Sequence, residues 1–213
     1  MKLGYGDFVK MFRQAIQEIQ ANHPMLSKLD SFGGDGDHGT TMLRAMGCLE
    51  KGINQTTNGS LGDLLNNIGW AIMGVDGGAT GPLLGSFFSG MAEKAPATNQ
   101  ADIQALAAMF EAGWQNLSTL TQAKVGDKTL VDALIPAVDT LRAAAQQNQS
   151  ISIALQTAAA AAARGAQATQ AMQPRFGRAK NLGAAAMGHP DAGATSVSLL
   201  FKGFAEGVNS HAG

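Results

Sequence analysis

The sequence is poor in cysteine and in charge, and it has no long apolar runs. Cys48 is the single cysteine among 213 residues, so an internal disulfide is impossible and a reducing, cytoplasmic compartment is expected. The 15 basic and 16 acidic residues leave a formal net charge of -1, which offers no basic surface for nucleic acid or an anionic membrane. No stretch approaches the roughly 20 apolar residues of a membrane span, and the N-terminus lacks the apolar core of a signal peptide. We therefore expect no nucleic acid and no membrane as partners.

Apolar residues recur at helical spacing through most of the chain. In the first segment Phe8, Met11, Phe12, Ala15 and Ile16 are spaced by three and four, which is typical of an amphipathic helix. Interruptions at glycine, proline and polar clusters separate eight predicted helices, over residues 5–22, 39–53, 60–74, 80–93, 101–121, 127–146, 151–172 and 192–208. No run alternates apolar and polar residues for long enough to predict a strand. We predict a single all-α domain spanning residues 1–213.

The loops before the second, fourth, sixth and eighth predicted helices combine glycine, hydroxyl groups and charge. Alternate loops of an up-and-down helical array lie at the same end, so these four loops would share one mouth. Each of them also begins a helix, where free N–H groups and the helix dipole favour anions. The sequence therefore predicts an anion site at one end of the array, formed by Asp30, Asp35, Asp37, residues 77–81, Lys128 and Asp191.

Three aspartates, Asp30, Asp35 and Asp37, lie within eight residues of glycine-rich chain. Carboxylates so close together repel one another unless a cation lies between them. Oxygen ligands on a flexible loop suit Mg²⁺ or Ca²⁺, and Mg²⁺ in particular is held by a few carboxylates together with substrate phosphates. An ordinary turn is the alternative, because aspartate and glycine both tolerate left-handed backbone. The residues alone leave both interpretations open.

Further motifs narrow the kind of site. Residues 34–39 formally fit the G-x-G-x-x-G pattern of dinucleotide-binding folds, but no strand precedes them. No G-x-x-x-x-G-K-[ST] run is present, which excludes a P-loop. Residues 77–81 could offer N–H groups and the Thr80 hydroxyl to phosphate oxygens, or form a flexible turn with a capping threonine. Arg178 could clamp a phosphate and offset charge that develops during transfer, or be an exposed, solvated arginine.

Five runs, in order and spread across the chain, resemble the nucleotide-binding L subunit of dihydroxyacetone kinase. The runs are Asp30 with Gly34-Asp35-Gly36-Asp37-His38-Gly39, Gly77-Gly78-Ala79-Thr80-Gly81-Pro82-Leu83-Leu84-Gly85, Gly126-Asp127-Lys128-Thr129-Leu130-Val131-Asp132, Gly177-Arg178-Ala179, and Gly188-His189-Pro190-Asp191-Ala192-Gly193-Ala194-Thr195-Ser196. Each run alone is a weak signal, and their order makes the resemblance specific.

The resemblance implies a closed barrel of eight antiparallel helices, with an adenine nucleotide (ADP or ATP) bound by the loops at one end. It implies two Mg²⁺ ions on Asp30, Asp35 and Asp37, and it makes Arg178 the candidate catalytic residue, acting on transition-state charge. Nucleotide contacts are implied for His38, Gly39, Thr40, Thr41, Gly78, Ala79, Thr80, Leu130, Arg178, Asp191, Ala192 and Gly193. A partner K subunit is implied to hold the dihydroxyacetone and to supply the acid–base group.

The phosphoryl donor stays open at this point. Thr40-Thr41-Met42 follows the His-Gly pair, where members that use a phosphotransferase system commonly have Leu-Asn-Met. The threonines resemble ATP-using kinases, whereas His38 and the short separate chain resemble the phosphotransferase type. The donor is therefore ATP, or a phosphotransferase M subunit that rephosphorylates bound ADP.

The acceptor is also open, between dihydroxyacetone and another small ketose. Two alternatives to an enzyme subunit exist. One is a nucleotide-sensing module that docks on a transcriptional regulator without turnover, and the other is a helical bundle whose aspartates merely cap a helix.

Overall fold

The computed structural model of the chain describes residues 2–56 and 59–209, which are predominantly helical. The α-helices are α1 (Tyr5–Asp30), α2 (His38–Gln55), α3 (Leu61–Met73), α4 (Thr80–Glu93), α5 (Ile103–Ser118), α6 (Val131–Gln146), α7 (Ile151–Ala168) and α8 (Ala192–Asn209). Two 3₁₀ helices, Thr169–Ala171 and Arg178–Ala186, lie between α7 and α8. The predicted all-α class is confirmed.

Each helix packs against the helices that precede and follow it, and α8 packs against α1. Contact between the first and last helices is what a closed arrangement requires. This contact depends on a glycine, because a Cβ at Gly203 in α8 would lie 2.3 Å from the Cα of Ala15 in α1. Within residues 2–56 and 59–209, none of the helices combines the length and the apolar character needed to cross a membrane.

Phenylalanines from α1, α4, α5 and α8 meet in one continuous core. Phe12 lies 5.6 Å from Phe88 and 5.9 Å from Phe204, and Phe110 lies 5.9 Å from Phe204, all measured between ring centroids. The three pairs meet edge to face, which is a favourable geometry for aromatic rings. Helices from opposite ends of the sequence are therefore fixed against one another, and they hold the connecting loops in place.

The first helix is longer than predicted. Its expected end at residue 22 is wrong, because α1 continues through Pro24 to Asp30. A proline inside a helix removes one backbone hydrogen bond. Leu26 is fully buried just beyond it, and burying a leucine contributes about 2 kcal/mol, which offsets much of that loss. As a result, Asp30 is the last residue of α1, where the chain turns towards Asp35 and Asp37.

The prediction of no strand is wrong for one short pair. β1 (Leu3–Gly4) and β2 (Gln100–Ala101) pair antiparallel. Two residues are too few to show the alternation by which a strand is recognised in sequence. Because β2 occupies residues 100 and 101, α5 begins at Ile103, where the Asp102 carboxylate accepts the N–H of Ala105 at 2.9 Å.

Two helix ends near the predicted mouth also differ from expectation. α6 begins at Val131 rather than at residue 127, because the Asp132 carboxylate accepts the N–H of Gly126 at 2.6 Å and that of Thr129 at 2.8 Å. These bonds hold the preceding residues as a loop. α7 ends at Ala168 rather than at residue 172.

Candidate functional site

A cavity of about 420 Å³ opens where the loops before α2, α4, α6 and α8 meet. Cavities of this size commonly hold small molecules. The predicted site residues that line it are Asp30, Asp35, Asp37, His38, Thr41, Gly78, Ala79, Thr80, Leu130, Arg178, Asp191, Ala192 and Gly193. Lys128 lines it as well. Four loops that are far apart in sequence thus converge on one cavity.

Gly39 and Thr40 are the two predicted nucleotide contacts that do not line the cavity. A Cβ at Gly39 would lie 2.0 Å from the carbonyl oxygen of His23, so this glycine permits close packing of α2 on α1. The Thr40 side chain is exposed, and its hydroxyl donates to the carbonyl oxygen of Asp37 at 2.7 Å. Both residues therefore shape the start of α2 in this structure.

The aspartate loop (residues 30–37) gathers three carboxylates. Oxygen atoms of Asp30, Asp35 and Asp37 lie within 4.8 Å of one another, and the side chains are half-buried or exposed. The loop folds back on Asp30, whose carboxylate accepts the N–H of Gly36 at 2.9 Å. A Cβ at Gly34 would lie 2.5 Å from the same carboxylate. The donor set is all oxygen, which fits Mg²⁺ or Ca²⁺.

Arg178 forms an ion pair with Asp35 at the edge of this cluster. Arg178 begins the second 3₁₀ helix and follows Gly177, which has a φ of 65°. It belongs to the strap (residues 172–190), the segment that connects the end of α7 to α8. A Cβ at Gly33 would lie 2.8 Å from the Cβ of Ala179, so the strap and the aspartate loop are in close contact. A guanidinium at this position partly offsets the negative charge of the loop.

The glycine turn (residues 76–80) has the left-handed backbone that its glycines permit. Gly77 and Gly78 have φ values of 121° and 58°, and after Ala79 the helix α4 begins at Thr80. Arg44, which sequence reasoning missed, fastens this turn to α2. Its Nη2 donates to the Thr41 hydroxyl and to the carbonyl oxygen of Asp76, each at 2.9 Å. Since Thr41 accepts from Arg44, its own hydroxyl hydrogen remains free to donate to an anion in the cavity.

His38 is fixed by a serine from α8. His38 Nε2 lies 2.7 Å from the Ser196 hydroxyl, which in turn donates to the carbonyl oxygen of Ala192 at 3.0 Å. The Ser196 hydroxyl therefore connects the imidazole at the start of α2 to the backbone of α8. Burial lowers the pKa of His38, although the nearby Asp30 charge and a backbone hydrogen bond at Ala192 oppose this. Sequence reasoning noted Ser196 within a motif but gave it no role.

The opposite wall of the cavity is built by the start of α8 and the loop before α6. A Cβ at Gly193 would lie 3.1 Å from the Asp191 carboxylate and 3.4 Å from the Cβ of Leu130, so this wall is closely packed. The Asp191 carboxylate caps α8 by accepting the N–H of Ala194 at 2.7 Å. Burial raises the pKa of Asp191 to about 6, while the bond from Ala194 and the charge of Lys128 act in the opposite direction.

Comparisons with known proteins identify the family of this chain. The family described as DAK2 domain matches residues 33–206. The ADP-binding subunit DhaL of PEP-dependent dihydroxyacetone kinase from Escherichia coli K12 is 37% identical over 177 residues, covering 83% of this chain and 84% of that protein. A D-erythrulose kinase from Mycolicibacterium smegmatis is 33% identical over 191 residues, covering 86% of this chain but only 32% of that protein.

Solved structures of a larger kinase share the fold. The dihydroxyacetone kinase of C. freundii in complex with AMP-PNP and Mg²⁺ superposes with a TM-score of 0.72 at 25% identity, over 97% of this chain and 34% of that one. Its native form gives a TM-score of 0.70 at 27% identity. This chain thus spans about a third of the length of that kinase and most of the length of the DhaL subunit. The chain belongs to the DAK2 domain family, together with the ADP-binding subunits of dihydroxyacetone kinase, a phosphotransferase.

Proposed function

We propose that this chain is the nucleotide-binding subunit of a dihydroxyacetone kinase. It would hold a magnesium-bound adenine nucleotide and pass a phosphoryl group to dihydroxyacetone on a separate K subunit. The observation that carries the proposal is the convergence of three carboxylates, with oxygens within 4.8 Å of one another, at the mouth of a cavity that also contains a glycine turn and an arginine. DhaL relatives named as ADP-binding subunits of such kinases support it.

Asp30, Asp35 and Asp37 are the proposed ligands of two Mg²⁺ ions. Magnesium supplies charge neutralisation at nucleotide phosphates, and it is held by a few carboxylates plus the phosphates themselves. The fit rests on the all-oxygen donor set and on the mutual repulsion that the carboxylates experience without a cation. The Mg²⁺ in the C. freundii kinase complex is consistent with this assignment.

Arg178 is the proposed catalytic residue. Phosphoryl transfer depends on positioning and on stabilising negative charge, and a guanidinium can contact two phosphate oxygens at once. Arg178 is already at the mouth of the cavity, where it pairs with Asp35. The acid–base group for the acceptor hydroxyl is proposed to lie on the K subunit.

The remaining residues divide the proposed site into two halves. His38, Thr41 and the turn at Gly78, Ala79 and Thr80 would contact the phosphates. Leu130 would pack near the base, and the segment from Asp191 through Ala192 to Gly193 would close over the adenosine. Gly39 and Thr40 would act by shaping the start of α2.

The phosphoryl donor is part of the proposal in two forms. In the first, an M subunit of a phosphotransferase system rephosphorylates ADP that stays bound, as names such as "PTS-dependent" in a Lactococcus lactis relative suggest. In the second, ATP exchanges freely. Another small ketose is a second candidate acceptor, favoured by relatives named D-erythrulose kinase and L-erythrulose kinase. A cytoplasmic location belongs to the same proposal.

Native mass spectrometry tests the nucleotide site. After incubation with Mg²⁺ and ADP, we expect the chain to carry one nucleotide and two Mg²⁺ ions. A nucleotide that remains through purification would favour the rephosphorylated type, and one that washes out would favour free exchange of ATP. A chain that binds neither nucleotide nor Mg²⁺ would refute the proposal. Addition of a K subunit, with dihydroxyacetone or erythrulose, then identifies the acceptor by the phosphorylated product.

A further inference from the structure

Lys128 is a buried cation that the proposed chemistry does not use. Its residue surface is only 6% exposed, and its backbone has a φ of 59°, which is unusual for a residue other than glycine. Its ammonium donates to the carbonyl oxygen of Thr169 at 2.7 Å and to that of His189 at 2.6 Å. One side chain from the loop before α6 therefore holds both the end of α7 and the end of the strap.

The buried position of Lys128 is unfavourable for a charged ammonium group unless hydrogen bonds compensate for the lost contact with water. Burial lowers the pKa of its ammonium, and the nearby Asp191 and Asp132 carboxylates oppose that change. A lysine at the surface would avoid this desolvation. The two carbonyl groups compensate it with charge-assisted hydrogen bonds, which are stronger than neutral ones. Such an arrangement is expected where a fixed geometry is needed.

Two further hydrogen bonds join the segments that Lys128 connects, residues 169–170 and residues 188–191. The N–H of Gly188 donates to the carbonyl oxygen of Gln170 at 2.9 Å, and the N–H of Asp191 donates to the Thr169 hydroxyl at 2.7 Å. The end of the strap is thereby fastened immediately before α8, where Asp191 lines the cavity. The position of the cavity wall thus depends on residues from α7 and on Lys128.

The same fastening reaches the aspartate loop through an aromatic pair. The His189 ring stacks on Phe32 with a centroid distance of 3.5 Å and an interplanar angle of 5°. Phe32 belongs to the aspartate loop, and both rings line the cavity. Lys128 holds the backbone of His189, so it also fixes where this ring meets Phe32. The two sides of the cavity mouth are connected in this way.

We propose that Lys128 is a positioning residue for the nucleotide. Lys128 holds residues 188–191 against the cavity, and through the stacking of His189 on Phe32 it fastens the strap to the aspartate loop. The inference rests on the proposed function for the identity of the ligand. Because the residues it holds adjoin the proposed adenosine half, Lys128 should slow the release of ADP while contributing little to phosphate binding.

Lys128→Met is the primary variant, since methionine keeps an unbranched side chain of similar length without the ammonium. We expect ADP release, measured by stopped-flow in the presence of Mg²⁺, to become about tenfold faster or more, as for loss of a charge-assisted hydrogen bond. Affinity for Mg²⁺-tripolyphosphate, which lacks the adenosine, should stay within about twofold of wild type, well below the tenfold change that one strong contact produces. A general structural defect would instead weaken the binding of both ADP and tripolyphosphate.

Hydrogen exchange locates the effect in the ligand-free chain. The amide hydrogens of Gly188 and Asp191 should exchange faster in Lys128→Met, because their acceptors lie on the segment that Lys128 holds. Lys180→Met is the matched control, since Lys180 is an exposed lysine within the strap. It should change neither the exchange rates nor ADP release.

Phe32→Leu provides a second test if Lys128→Met does not fold. This variant removes the ring stack and leaves the Lys128 hydrogen bonds in place, so ADP release should accelerate while Asp191 exchange is unchanged. Unchanged ADP release in a folded Lys128→Met, or an equal loss of ADP and tripolyphosphate binding, would overturn the inference alone. A wild-type chain that binds no Mg²⁺-ADP would instead overturn the proposed function, and this inference with it.

Discussion

Arg178 on the strap is ion-paired with Asp35 on the aspartate loop. Asp35 is also one of the three carboxylates whose oxygens lie within 4.8 Å of one another. The guanidinium and a cation bound to the cluster would therefore compete for the same carboxylate. Under the proposed function, a metal that takes Asp35 leaves Arg178 available to the phosphates, so ligand binding and the position of Arg178 are connected.

Loss of one carboxylate should abolish nucleotide retention. In Asp35→Asn or Asp37→Asn, the loop has too little negative charge to hold the proposed metal ions. We expect the affinity for Mg²⁺-ADP to fall at least about 100-fold, because loss of a residue that only hydrogen-bonds to a metal ligand can already cost that factor. Isothermal titration calorimetry measures the affinity. Asp139→Asn is the control, because Asp139 is an exposed aspartate of α6 that pairs with Arg142. Calorimetric curves for Asp35→Asn that match wild type would show that the metal assignment is wrong.

Replacement of Arg178 should affect transfer more than binding. In a mixture with a K subunit, we expect Arg178→Gln to lower kcat by about 10³, the lower end of the effect of arginines that stabilise phosphoryl transfer. Affinity for Mg²⁺-ADP should change by less than about tenfold, because the metal ligands remain. Arg164→Gln, at an exposed arginine of α7, should leave kcat unaltered. If Arg178→Gln turned over at the wild-type rate, Arg178 would not be the catalytic residue.

The two glycines of the glycine turn should tolerate a methyl group unequally. At Gly77, with a φ of 121°, a Cβ would lie 2.4 Å from the Thr41 hydroxyl, whereas at Gly78, with a φ of 58°, it would meet open space. We expect Gly78→Ala to destabilise the chain by roughly 1 kcal/mol, the strain of left-handed backbone alone, and Gly77→Ala by more.

Urea unfolding measures both differences in the free energy of unfolding. Gly47→Ala serves as the reference, because Gly47 lies within α2 and a Cβ there would also meet open space. That substitution should stabilise the chain by about 0.5–1 kcal/mol, the helix preference of alanine over glycine. Equal destabilisation by Gly77→Ala and Gly78→Ala would mean that the contact with Thr41 has no energetic weight.

The fold was largely predictable because helical periodicity is a local signal. The face formed by Phe8, Met11 and Phe12 is buried as expected. The errors occur where a distant contact overrides the local pattern. α1 continues through Pro24 because Leu26 reaches the core, and the strand pair exists because residues about a hundred positions apart meet.

The site was only partly predictable, for a similar reason. Charged and glycine-rich loops carry local signals, and the structure brings Asp35, Asp37 and Arg178 together at one cavity. Ser196 and Arg44 carry no such signal, since a serine or an arginine within a helix is ordinary. Their roles arise from the side chains they meet, and those meetings depend on helix packing that a single sequence does not display.

Asp191 should make the stability of the ligand-free chain depend on pH. Burial raises its pKa from 3.8 to about 6 in the folded chain, so the folded state binds this proton more tightly than the unfolded state does. Stability from this group is therefore lost as pH rises from about 4 to about 6, and the full penalty, roughly 1–3 kcal/mol, is present above pH 6. Asp191→Asn removes the titration and keeps an oxygen that can accept from Ala194.

The difference in Tm between Asp191→Asn and wild type should thus become more positive between pH 4 and pH 7, by a few degrees for a chain of this size. Differential scanning calorimetry without nucleotide or Mg²⁺ measures it at each pH. Any pH-independent effect of the amide, such as a weaker cap on α8, cancels in the comparison across pH. A difference that stays constant over this range would mean that Asp191 ionises normally in the folded chain, and that water reaches its carboxylate despite the surrounding wall.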